Sequence, residues 1–246
     1  VAEKNNDVEH DFLKDPIQTY IDGEWVKAKG TTLGADNGIG MAGALAVLLD
    51  NTLEHGKVEC LFTINEEIGL EGAQNLGKDM ITGSMLINLD SEDDGEIFVG
   101  CAGGIDTLAK MHYEAMSLEA KGERLAIHLK VSGLMGGHSG DDIDKGRANS
   151  NKIVARLLWD AVQSYEMRLS YFCGGNLRNA IPREAYAVFG VPVRLKEEFV
   201  KRYRMFAEDV KSEFQFTEPN FKITLNEMPE VPTVLDENTQ NSLINA

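Results

Sequence analysis

Cysteine is scarce in this chain of 246 residues: Cys60, Cys101 and Cys173 are the only three, and they lie far apart. An odd, scattered set speaks against a disulfide framework and for a reducing, cytoplasmic compartment, and its spacing excludes a cysteine zinc knot. Long apolar runs are also missing. No stretch approaches the roughly 20 residues that a membrane span needs. The opening residues VAEKNNDVEHDF are polar and acidic and show no signal-peptide pattern. Positive charge is in deficit, with 24 Lys and Arg against 40 Asp and Glu, a net charge of −16. Such a chain repels phosphate backbones and anionic lipid, so neither nucleic acid nor a membrane is an expected partner. No internal repeat or low-complexity linker interrupts it.

What is present suits a folded protein: 43% apolar residues can build a core, and 26% charged residues is ordinary for a globular chain. The pattern divides near the Gly103-Gly104 pair, giving an expected domain at 1–104 and another at 105–246. In the first, residues 37–50 (NGIGMAGALAVLLD) predict a helix with Met41, Leu45, Leu48 and Leu49 on one face and Asp36 or Asn37 as its cap. Residues 57–65, 84–90 and 96–100 are short apolar runs expected to be strands covered on both faces. Strands separated by helical stretches suggest an α/β sheet. In the second domain, residues 106–114 look extended. Residues 125–131 alternate, with Leu125, Ile127, Leu129 and Val131 on one side. A helix over 149–165, strands near 167–173 and 185–191, a helix over 196–213 and a strand near 221–226 complete the reading. Strand–helix–strand–strand–helix–strand is the order of a split βαβ, ferredoxin-like α+β layer.

The carboxylates carry most chemical information. Glu66 and Glu67 follow one expected strand, Asp90 closes the next, and Asp36 stands at the mouth of the first helix. All four are expected at one edge of the sheet, where ligands of α/β sheets bind. Two carboxylates about 4 Å apart repel by roughly 4 kcal/mol at an effective dielectric near 20, so a gathered set calls for bound cations. Two-metal hydrolytic sites are built from such oxygens. Of the adjacent pair, one Glu can bind a metal while the other accepts a proton from metal-bound water.

Other motifs compete. Gly38-Ile39-Gly40-Met41-Ala42-Gly43 fits G-x-G-x-x-G, but no convincing buried strand precedes it, and Asp36 would put negative charge where a pyrophosphate should sit. Residues 90–95 (DSEDDG) suggest a calcium loop but lack Glu at the twelfth position, which is Cys101, so Glu92, Asp93 and Asp94 read as an exposed acidic turn. His138, wrapped in GGHSG, sits on a loop whose glycines permit close approach to a ligand, and its imidazole can face a developing oxyanion. In GGNLRNAIP, Asn179 can donate to a substrate carbonyl and Arg178 can pair with a carboxylate; the plain reading is a turn between two strands. His10, His55, His112 and His128 read as surface or strand-face residues.

Taken together, TTLGADNGIGMA, TINEEIGLEGA, LINLDSEDDGEIFVGCAGG, GLMGGHSGDDI and GGNLRNAIPREA resemble the aminoacyl-histidine (Xaa-His) dipeptidases, within the di-zinc peptidase family that includes carnosinase and acetylornithine deacetylase. The resemblance implies a partial α/β catalytic domain and a ferredoxin-like lid that dimerises. It implies Asp36 as the carboxylate bridging two zinc ions (Mn2+ or Co2+ being the other candidates), a cis peptide at Asp36–Asn37, Glu67 and Asp90 as ligands, and Glu66 as general base. It assigns His138 to the tetrahedral intermediate and Asn179 to substrate contact. The implied activity is hydrolysis of dipeptides by a homodimer. Two rival readings are a deacylase of N-acyl amino acids with the same metal site, and a non-catalytic dimerising module. The family's H-x-D motif and its late zinc-binding His are absent from these residues, so the expectation is a chain that begins after the first and stops within the lid.

Overall fold

The computed structural model describes every residue except 1, 6, 68, 92–94, 102, 118–122 and 231–232. The acidic turn at Glu92–Asp94 therefore lies outside the described residues. The chain falls into two units, Val1–Gly104 and Ile105–Ala246.

In the first unit, β1 (Thr19–Asp22) and β2 (Trp25–Ala28) form an antiparallel hairpin. Its two-residue turn starts at Gly23, whose φ of 64° is costly for a residue with a Cβ. Helix α1 (Gly38–Leu49) forms where the spacing predicts it, and Asn37 rather than Asp36 caps it, its Oδ1 accepting from Gly40 N–H at 2.9 Å. A short helix α2 (Glu71–Gln74) follows. The expected apolar face of α1 is not buried; Gly40 is the helix's one buried residue.

The strands expected at 57–65, 84–90 and 96–100 do not form: among the described residues, none of these segments carries a ladder. A strand covered on both faces exists only beside neighbours that take up its N–H and C=O groups. Without them the apolar runs stay in solvent, with Leu86 84%, Ile97 91% and Val99 fully exposed. Residues 106–114 likewise form no ladder, the next strand being β3 (Ala115–Met116).

The second unit follows its pattern closely. Strand β4 (Arg124–Ser132) leads to α3 (Ser150–Tyr165), β5 (Arg168–Gly174), β6 (Ala185–Pro192), α4 (Lys196–Glu213) and β7 (Lys222–Met228). The strands lie in the order β5-β6-β4-β7, every neighbour antiparallel, which is the split βαβ layer. Alternation puts Ile127, Leu129 and Val131 on one face, opposite Phe189, Ala187 and Ala185 of β6. That face packs against Ile153, Val154, Leu157, Leu158 and Ala161 of α3 and Phe199, Phe206 and Val210 of α4. Two short pieces were not foreseen: β8 (Val234–Leu235), paired with β3, and α5 (Glu237–Asn245). Among the described residues no helix is long and apolar enough to cross a membrane.

Candidate functional site

In the first unit, Asp36 and Asp90 share a cleft. Both line a shallow cleft of about 290 Å³, together with Ala35, Asn37, Ile39 and Ser91. The cause is Asn37: while its Oδ1 caps α1, its Nδ2 donates to the carbonyl of Leu89 at 3.1 Å, tying the helix start to the segment that ends at Asp90. The Asp36–Asn37 peptide is cis. The cap occupies the Gly40 amide, and a Cβ at Gly40 would overlap the Asn37 side chain, so the middle glycine of G-x-G-x-x-G serves the cap, and its N–H is not free for a pyrophosphate.

Glu66 and Glu67 sit in a turn of their own, where the Glu66 carbonyl accepts from Gly69 and Leu70 N–H and left-handed Asn65 and Leu70 flank it. They are not among the residues lining the Asp36–Asp90 cleft. Among the described residues, no group of three or more His, Cys, Asp or Glu stands where it could hold one ion.

In the second unit, the His138 and Asn179 loops are joined. Ser139 N–H donates to the Asn179 carbonyl at 2.9 Å, Ile181 N–H donates to the Gly137 carbonyl at 2.8 Å, and His138 bridges Ala180. Residues 175–184 are therefore more than the simple turn the sequence suggests. Arg178 ion-pairs with Asp106, both exposed.

Four residues that the sequence reading does not single out, Glu218, Asp142, Lys145 and Arg147, fasten this arrangement. The buried carboxylate of Glu218 accepts from Met135 N–H at 2.7 Å and Ala148 N–H at 2.8 Å, pinning both ends of the loop that carries His138. Inside the loop, Asp142 accepts from His138 N–H at 2.7 Å and pairs with Lys145 and Arg147. Lys145 first, and then the His138 amide, hold the Asp142 carboxyl below its ordinary pKa. The one trace in sequence is an acid and a base, Asp142 and Arg147, following GGHSG.

Residues 129–218, which run from β4 past the end of α4 in the split βαβ layer, match the family profile described as "peptidase dimerisation domain". The chain is similar, more particularly, to the cytosol non-specific dipeptidase of Escherichia coli K12, 46% identical over 244 residues that cover 99% of this chain and 50% of the relative. The crystal structure of aminoacylhistidine dipeptidase from Vibrio alginolyticus is similar too, at 42% identity, a TM-score of 0.63, and coverage of 99% of this chain and 49% of that one. The chain thus spans about half the length of the dipeptidases it matches. The resemblance read from the motifs is borne out, as is the mixed helix-and-sheet fold class.

Proposed function

We propose that this chain is part of a metal-dependent hydrolase of dipeptides, Xaa-His among them, working in the cytosol as a pair of copies joined through the 105–246 domain. The observation that carries the reading is the 46% identity to a dipeptidase across 99% of the chain. The shared cleft of Asp36 and Asp90 supports it.

Those two carboxylates suit the hard oxygen sites of a divalent ion, but a zinc site of two protein ligands is incomplete. In this reading Glu67 is a further ligand, and zinc is preferred to manganese or cobalt. When bound, such ions supply the positive charge that makes a water acidic near neutral pH. The chain's own groups do the rest. Glu66 takes the proton from the attacking water and hands it to the leaving amine. His138 and Asn179 donate hydrogen bonds to the carbonyl oxygen as it gains charge. Arg178 exchanges its exposed pair with Asp106, worth at most about 1 kcal/mol, for the substrate carboxylate.

The test uses a protein of the relatives' full length. Glu66→Ala is expected to abolish dipeptide turnover and leave metal content near that of the parent. Retained turnover removes Glu66 from the role. Cleavage of N-acyl amino acids without cleavage of dipeptides removes the substrate class.

A further inference from the structure

The imidazole of His138 is half exposed, yet the chain around it is fastened on several sides. Its N–H donates to Asp142 Oδ2, and the Asp142 N–H returns to the His138 carbonyl at 3.2 Å, closing a turn. The Asp142 carboxylate is only 15% exposed and meets Arg147 Nη1 at 3.0 Å. The same Nη1 donates to the Gly136 carbonyl at 2.6 Å. One ion pair thus grips the backbone on both sides of Gly137, where a Cβ would overlap Arg147 and Asp142 at once.

The turn has a consequence at the ring. His138 Nδ1 accepts the N–H groups of Gly140 at 3.1 Å and Asp141 at 3.2 Å. The Asp141 carboxylate lies 3.6 Å from Nδ1, beyond hydrogen-bond length. A nitrogen that accepts two N–H groups carries no proton, so the neutral ring holds its proton on Nε2.

We propose that Asp142 and Arg147 are positioning residues for His138: by fixing the 136–142 turn they keep the amides of residues 140 and 141 on Nδ1, and so keep the imidazole an Nε2–H donor for a substrate oxygen. The last clause rests on the role proposed for His138 in dipeptide hydrolysis; the tautomer does not.

Long-range nitrogen–proton spectra of the 246-residue chain, with labelled histidine and the His138 signals identified by their loss in His138→Gln, report the tautomer directly. The parent is expected to show the Nε2–H form. Asp142→Ala and Arg147→Ala are each expected to give a mixture of tautomers, and Asp142→Asn, which keeps an acceptor for the His138 N–H, to restore most of the parent signal. Circular dichroism checks that each variant is folded, and Arg147→Ala serves if Asp142→Ala is not. An Nδ1–H signal in the parent, or an unchanged tautomer in the folded alanine variants, overturns the proposal. In the full-length enzyme, Asp142→Ala is expected to lower kcat about 10- to 100-fold with KM little changed, a smaller loss than removing an oxyanion donor outright. The spectra need neither metal nor turnover, so failure of the positioning argument and failure of the dipeptidase reading are told apart.

Discussion

The two units of this chain are built from similarly apolar stretches and end in different states. In the second, Ile127, Leu129 and Val131 are fully buried; in the first, Ile87, Ile97 and Val99 stand in water. The difference lies in where the partners come from. Strand β4 needs one covered face, and α3 and α4, on the same stretch of chain, supply it. The 57–65, 84–90 and 96–100 segments are short apolar runs with no covered face of their own, and as strands they need neighbours on both edges and cover on both faces. What holds the first unit is instead polar: the Asn37 cap, its bond to Leu89, and side-chain clasps between loops. One unit therefore rests on a hydrophobic core, whereas the ties described in the other are largely exposed hydrogen bonds, and each should respond to different insults.

The strongest way to break that contrast is to open the core. Phe199 is fully buried and stacks edge-on against both Phe189, at 5.7 Å, and Tyr165, at 5.6 Å. Phe199→Ala is expected to remove about 3–5 kcal/mol from the second unit. The two tryptophans make the measurement selective, since Trp25 lies in β2 and Trp159 in α3. In denaturant melts of single-tryptophan variants, the Trp159 transition should move and the Trp25 transition should not. Equal shifts would mean the units unfold as one body, and the contrast would be lost.

A smaller effect is expected at the loop that carries His138. Glu218→Ala leaves the Met135 and Ala148 amides without their acceptor, the second of them buried. Charge-assisted bonds of this kind make the change worth about 2–4 kcal/mol. The Trp159 melt measures it, and the amide exchange of residues 135–148 should rise more than that of the β4 and β6 strands. A shift below about 0.5 kcal/mol, the size of an ordinary surface substitution, would show that the loop does not depend on this carboxylate.

The same contrast explains what the amino acids disclosed in advance. Helix α4 was legible to its ends because Phe199, Tyr203, Phe206 and Val210 keep one period against a core the unit builds itself. Strand β4 was legible for the same reason. Asp36 and Asp90 were legible as residues at the ends of elements, even though the strand before Asp90 does not form. The joining of loop 137–139 to loop 179–181 was not, because contacts between distant loops leave no periodic trace. Nor were Glu218, Asp142 and Arg147, which in an acidic sequence look like solvated surface until the fold buries the first and partly covers the other two. Gln240 makes the point again: a polar residue in α5, it is buried, with its oxygen on the Leu169 N–H at 2.7 Å. The β1–β2 hairpin has a local signal in Asp22-Gly23, but its strands TYID and WVKA are too short and too exposed to add a periodic one.

The smallest expected effect tests the polar half of the contrast. In the first unit Glu59 clasps two segments: Lys57 meets its Oε1 at 2.6 Å, the Thr82 hydroxyl donates to the same oxygen, and the Thr82 N–H reaches Oε2 at 2.8 Å. Lys57 foremost, then the Thr82 hydroxyl and amide, hold the Glu59 carboxyl down to about 2 from 4.5. A depressed carboxyl stabilises the folded form above its unfolded pKa, and that contribution is lost as pH falls from about 4.5 to about 2. The clasp is exposed, so its weight is slight, but its signature is sharp. The Thr82 amide resonance should titrate with a midpoint near pH 2, should lose that step in Glu59→Gln, and should move toward the ordinary carboxyl range in Lys57→Ala. A midpoint already at the ordinary value in the parent would show that segments 57–59 and 82–83 are not clasped in solution, and the first unit would then have to be held by something other than its polar ties.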